Sequence, residues 1–294
     1  MNYQVSHTTT YEYPETVAAC QNVVHLAPRA VPRQTCHHHR LIVRPTPSSL
    51  ARRTDYFGNP VTHFSINEGH RKLTITSMSR VEVRELALPA PDESPPWESV
   101  RDALLSDRGA RAVDNLQFCY DSPRIERSVE MAAYAAESFP AGRPILAAVV
   151  DLTARVHEDF VYDPQATTVH TPLSEVFAER RGVCQDLAHV QIGALRSLGL
   201  AARYVSGYLR TRPPPGKPRL VGADASHAWV AVYCGPAGWI DADPTNDVLV
   251  GTEHITIAWG RDYADVCPIN GVFVGGGQHL MTVSADVEPL DESK

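Results

Sequence analysis

Arg180-Arg181-Gly182-Val183-Cys184-Gln185-Asp186-Leu187-Ala188-His189 puts a cysteine at the head of a helical pattern. Leu187, Val190, Ala194, Leu195 and Leu198 recur at three- and four-residue steps, which predicts an amphipathic helix beginning near Cys184 and ending at Gly199. A cysteine acts as a nucleophile through its thiolate, and the unpaired amides and dipole of a helix start favour a negative group there. Gly182, two residues earlier, leaves room for a carbonyl substrate and lets the backbone turn.

Two further segments complete the chemistry. His227-Ala228-Trp229-Val230-Ala231-Val232-Tyr233 alternates as a strand does, Cys234-Gly235-Pro236-Ala237-Gly238 is turn chemistry, and Trp239 to Asp243 reads as the returning strand, halted by Pro244. Pairing Tyr233 with Trp239 puts Trp229 opposite Asp243 and sets His227 diagonally from Asp243 on the same face, within side-chain reach. Asp241 shares that face, so a register slip would substitute it. Cysteine, histidine and aspartate in this order make a thiol acyl-transfer triad: one attacks, one moves the proton, one orients the imidazole. Taken singly, Cys184 reads as a small buried hydrophobe, His227 as a core or surface histidine and Asp243 as a turn residue; the combination carries the reading.

These segments resemble the transglutaminase-like superfamily of cysteine enzymes. The resemblance rests on Gly182-Val183-Cys184-Gln185-Asp186, His227-Ala228-Trp229-Val230 and Gly238-Trp239-Ile240-Asp241-Ala242-Asp243-Pro244-Thr245. It extends to the bacterial subgroup with an added N-terminal domain through Tyr11-Glu12-Tyr13, Leu26-Ala27-Pro28-Arg29, Asp55-Tyr56-Phe57-Gly58-Asn59 and Gly260-Arg261-Asp262-Tyr263-Ala264-Asp265-Val266. It implies an α+β papain-like core, with Cys184 as nucleophile, His227 as general base and acid and Asp243, rather than Asp241, as the orienting carboxylate. It also implies an oxyanion donor upstream of the cysteine, for which Tyr162 is the candidate beside the Cys184 backbone amide. Cys267 before Pro268 departs from the pattern, where a proline or small residue is expected. The implied reaction is acyl transfer at a carboxamide, peptide or isopeptide carbonyl of a protein or peptide substrate, without a cofactor, and hydrolysis is favoured over transamidation. The alternative is a catalytically silent peptide-binding module on the same fold, since fold alone does not assign activity.

The 294 residues suit two domains, and a net charge of −7 argues against nucleic acid as the main partner. Residues 1–85 carry β-branched segments between Pro, Gly and Asn turns and are expected to form an all-β, sandwich-like domain. The proline-rich stretch 86–98 is expected to be a linker, and 99–294 a catalytic domain that includes C-terminal strands. Six scattered cysteines, with neither a signal peptide nor a run long enough to span a membrane, point to a reducing cytoplasm.

Other constellations are weaker. Cys36-His37-His38-His39, near His63 and His70, suggests a metal, but neighbours on a strand point to opposite faces; it reads as an exposed strand edge, and no metal site is expected. Gly275-Gly276-Gly277 lacks the strand-to-helix setting of a phosphate loop and reads as a turn. Arg261 is a candidate for lining the substrate cleft, with a structural ion pair as its alternative. Asp224 reads as a solvated loop carboxylate, and the proline-stiffened loop Arg212 to Pro218 as a connection near the cleft entrance.

Overall fold

In the computed structural model, residues 1–107, 109–211 and 226–290 are described. The expectations for Asp224 and for the loop Arg212 to Pro218 fall outside these residues. Five strands open the chain: β1 (Asn2–Val24), β2 (Gln34–Arg44), β3 (Ser49–Thr54), β4 (Pro60–Ile66) and β5 (His70–Val83). A largely irregular stretch leads to the helices α1 (Trp97–Ser106), α2 (Ala110–Leu116), α3 (Val129–Ala136) and α4 (Ile145–Asp159). Next come β6 (Val161–Tyr162), α5 (Leu173–Glu179), β7 (Arg181–Gly182) and α6 (Cys184–Ser197). The chain then runs through β8 (Ala202–Leu209), β9 (Ser226–Tyr233), β10 (Trp239–Asp243), β11 (Val248–Leu249), β12 (His254–Gly260), α7 (Tyr263–Val266), β13 (Ile269–Gly275) and β14 (Leu280–Leu290).

The fold is the expected α+β arrangement, with one revision to its boundaries. β13 and β14 pair with β1, not with the sheet formed by β8 to β12, so the C-terminal strands assigned by sequence to the unit 99–294 complete the N-terminal sheet instead. The cause lies in the length of β1. Its first half, Asn2 to Glu12, runs between β5 and β14, its second half runs between β4 and β13, and the register shifts around Pro14. The sandwich-like expectation thus becomes one continuous, bent seven-stranded sheet. Its far half closes over Val17, Cys20, Phe64, Ile66, Leu73 and Ile75. Its near half contributes Tyr3, Val5, Val81, Val83 and Val287 to a core shared with α3, α4, α6 and the second sheet.

That second sheet is antiparallel, in the order β11-β10-β9-β8-β12. α6 packs on the face formed by Ala202, Tyr204, Ala228, Val230 and Val232. The helix ends with Gly199 and Leu200 donating back to Arg196 and Leu195, as the sequence indicates. The amphipathic expectation falls short in one respect. Every residue from Asp186 to Arg196 is buried, because α3, α4, α5 and the sheet surround the helix. Its polar residues are therefore bonded inside: Gln191 donates to Thr153, and Arg196 donates to the carbonyls of Phe118, Tyr120, Ala202 and Arg261.

The outer edge of β12 meets the N-terminal unit through two side-chain amides that act as a surrogate strand. Gln34 donates to the Thr256 carbonyl and accepts from the Thr256 amide; Asn59 does the same with Trp259. Among the described residues no helix is long and apolar enough to cross a membrane.

Candidate active site

Cys184 is the first residue of α6 and is only partly buried. Its amide lies in the first turn, where no intrahelical acceptor exists. The entry is held by Asp186, whose carboxylate accepts from the Val183 amide at 2.9 Å and from the Thr167 hydroxyl at 2.6 Å. Burial pushes the Asp186 carboxyl up, and those two bonds oppose it. Gly182 is required at this point: a Cβ there would lie 2.6 Å from the Asp186 carboxylate.

The hairpin has the expected register, with Trp239 opposite Tyr233 and Ala242 opposite Val230. His227 reaches the fully buried Asp243, with 2.7 Å between Nε2 and Oδ2. Asp241 goes elsewhere and accepts the Trp229 indole N–H at 3.1 Å, so the two carboxylates are distinguished. Burial alone would lower His227, but the hydrogen bond to Asp243 and the pull of Cys184 outweigh it and raise the imidazole to about 10. Since Nε2 is taken by Asp243, the other ring nitrogen, Nδ1, is left for the thiol. Asp243 is held well below the carboxylate range. Burial opposes this, but bonds from His227, His254 and Asn246 prevail.

The sequence reading missed His254 and Asn246. His254 at the start of β12 lies 3.1 Å from the same Asp243 oxygen, and Asn246 donates to it at 2.7 Å from the turn after β10. The alternation Ile255, Ile257 marks β12 as a strand, but only the sheet order carries His254 to the aspartate. His227, Asp243 and His254 each offer one atom within 4.8 Å of the others and could hold a cation. Here Asp243 Oδ2 already bonds both imidazoles, while His254 Nδ1 is buried without a partner among the described residues. Trp229 covers it, with its ring centroid 6.1 Å from His227 and 5.3 Å from His254. Gly207, paired with His227 on β8, has no space for a Cβ beneath the Trp229 ring.

Tyr162 lies beside the cysteine: β6 runs parallel to β7 and pairs Tyr162 with Gly182. Burial, and secondarily the Cys184 charge, raise its phenol. Arg261 is not turned to this site. It is forked onto Asp265 at 2.9 Å through both Nε and Nη2, the structural alternative. The neighbouring Asp262 caps α7 through the Ala264 amide and also accepts the Arg124 amide. In the histidine run, His37 bonds Glu82 and His39 bonds Ser79 on the edge strand β2. Gly275, Gly276 and Gly277 have φ of 89°, 81° and 66° at the turn into β14.

Comparison with known proteins identifies the family and the fold. Residues 3–82 match the bacterial transglutaminase-like N-terminal region and residues 133–244 the transglutaminase-like superfamily. An uncharacterized protein of Mycobacterium tuberculosis is 41% identical over 98% of this chain and 93% of its own length. A protein-glutamine gamma-glutamyltransferase of Pseudomonas aeruginosa is 36% identical over 95 residues, which are 31% of this chain and 14% of that protein. The solved structure of a candidate cysteine protease from Cytophaga hutchinsonii shares the fold, with a TM-score of 0.75 at 20% identity over 100% of this chain and 92% of that one.

Proposed function

The chain belongs to the transglutaminase-like superfamily, and from that membership we propose cysteine-dependent acyl transfer at a carboxamide, peptide or isopeptide carbonyl of a protein or peptide, with hydrolysis favoured over transamidation. The observation that carries the reading is His227, held at 2.7 Å by the buried Asp243 and with its imidazolium favoured by the neighbouring Cys184. The Cys184 sulfur forms a C–S bond to the carbonyl carbon, while the first-turn amides of α6 and the Tyr162 hydroxyl stabilise the oxyanion. The C–N bond then breaks as the His227 imidazolium gives its proton to the departing amine. Water next attacks the thioester and His227 takes its proton. The C–S bond breaks, releasing the acid and restoring the thiolate–imidazolium pair. Asp243 keeps the ring oriented throughout.

Hydrolysis is favoured because Tyr162, paired with Gly182 near the cysteine, is 54% exposed, which gives water access to the acyl-enzyme. The six cysteines are all free, in keeping with a cytoplasmic, reducing setting as part of this proposal. The test is release of ammonia or amine from glutamine-containing peptides, with and without an added primary amine such as dansylcadaverine. Turnover lost in Cys184→Ala supports the mechanism, and turnover that persists in that variant overturns it. Incorporation of the added amine in preference to hydrolysis would make the protein a transamidase.

A further inference from the structure

Away from the triad, the face of the second sheet opposite α6 carries a cavity of about 390 Å³, within the usual ~300–1,000 Å³ range of small-molecule sites. Its floor follows from strand register. Arg203 on β8 and Asp241 on β10 both pair with Ala231 on the strand between them, so the smallest side chain of that row separates two charged ones. Trp239 and Trp259 rise on either side, with the Arg203 guanidinium carbon 4.2 Å and 3.7 Å from their ring centroids. The apolar wall comes from Leu86 and Leu88 of the stretch before α1 and from Ile240 and Val250.

Arg203 is the anomaly. It is 8% exposed, it lines the cavity, and its Nε is buried without a hydrogen-bond partner. Asp241, the nearby counter-charge, is shared: it takes the Trp229 indole N–H, and the Arg33 guanidinium lies 3.9 Å away. Burial lowers Arg203 to about 9 against the pull of Asp241, so it stays a cation at neutral pH. Two guanidinium groups therefore face one carboxylate. Arg33 spends its donors on the Gly251 carbonyl and the Thr256 hydroxyl, whereas Arg203 packs between two indole rings and, among the described residues, its Nε has no hydrogen-bond acceptor.

We propose that this cavity is a second ligand site, which takes a small carboxylic acid with an apolar body, its carboxylate on Arg203 and its body against Leu86, Leu88 and Val250. A carboxylate supplies the acceptors the guanidinium lacks and restores charge balance. A neutral apolar molecule would fill the space and leave the cation unmet.

The test is titration of the full chain with octanoate and indole-3-acetate, followed by tryptophan fluorescence and calorimetry, with octanol and indole-3-acetamide as neutral controls. The expected result is saturable binding of an acid, a much weaker response to its neutral analogue, and full retention after Cys184 is alkylated. Arg203→Gln should weaken binding by about tenfold or more, the scale of a lost charge-assisted pair. Leu86→Glu sits at a position that is 50% exposed, so it does not threaten folding, and it should weaken binding in the same direction by adding a carboxylate to the wall. The proposal is overturned if neither acid binds, if the neutral analogues bind as well, if alkylation of Cys184 abolishes binding, or if Leu86→Glu binds like the unaltered chain.

Discussion

At the His227–Asp243 end of the second sheet the buried carboxylate is met by hydrogen bonds, whereas at the cavity a guanidinium is met by aromatic rings. The contrast falls on one short strand. Asp243 accepts from His227, His254 and Asn246 and from the Thr245 amide. Asp241, two residues earlier on the same side, takes one indole N–H and stands near Arg33. Identical side chains in alternate positions thus acquire different roles. Asp243 is fully buried among donors that stabilise its charge, and Asp241 lies where the sheet opens into the cavity. Burial makes a carboxylate costly unless donors surround it; with donors in place, it becomes a fixed orienting charge.

The sharpest way to break this comparison is to neutralise each aspartate in turn. Asp243→Asn should lower kcat by about 10⁴-fold on a peptide substrate, the scale of losing the orienting carboxylate of a triad. Asp241→Asn should cost less than about tenfold, because a neutral amide oxygen still accepts the indole N–H. Equal losses in the two variants, measured by steady-state kinetics, would collapse the distinction.

A pH profile sharpens it further. The imidazolium is the form that protonates the leaving amine, and His227 is raised from its free value to about 10. Activity should therefore fall on the alkaline side near pH 10. In Asp243→Asn the fall should move down toward the ordinary histidine value of about 6.5. The same shift has a stability consequence. A group raised on folding stabilises fully below its unfolded value, so this contribution should fade between about pH 6.5 and 10. An unmoved alkaline limb in the variant would show that Asp243 does not hold the imidazolium.

His254→Ala should act more mildly. It removes one donor from Asp243 and leaves His227 in place, so kcat should drop by roughly three- to tenfold, the scale of one charge-assisted hydrogen bond. Asp243 is lowered on folding, so its stabilising effect is present above the ordinary carboxylate range and lost as pH falls. Without His254 that loss should begin at higher pH, which acid denaturation followed by circular dichroism would detect.

The smallest effect on activity is expected far from both sites. Gln34→Ala strips the two side-chain bonds that cover the Thr256 backbone, and should cost about 1–3 kcal/mol in urea denaturation while leaving kcat of the folded protein unchanged. A lowered kcat there would show that the N-terminal sheet reaches the triad through β12.

Much of the chemistry was legible along the chain. The cysteine at a helix head, the hairpin register and the choice of strand faces all follow from local periodicity and turn residues, which act over a few positions. The same reading counted the C-terminal strands within 99–294 but left open which sheet the tail joins, since nothing in Ile269 to Leu290 records which edge of β1 stands open. It gave α6 one apolar face, although Gln191 and Arg196 are buried partners of distant groups. Arg261 was open between cleft and ion pair, and Asp265, four residues on, takes it.

The sequence by itself therefore determined the cysteine at a helix head, the histidine on a later strand and the hairpin that presents the aspartate, because spacing within one helix or hairpin sets which side chains share a face. Only the tertiary structure decided which aspartate meets the imidazole, that His254 and Asn246 join it, and that the Nε of Arg203 is enclosed without a hydrogen-bonding partner among the described residues. Those outcomes depend on strand order and on burial among groups remote in sequence, where desolvation and the nearest donors set the state of each charge.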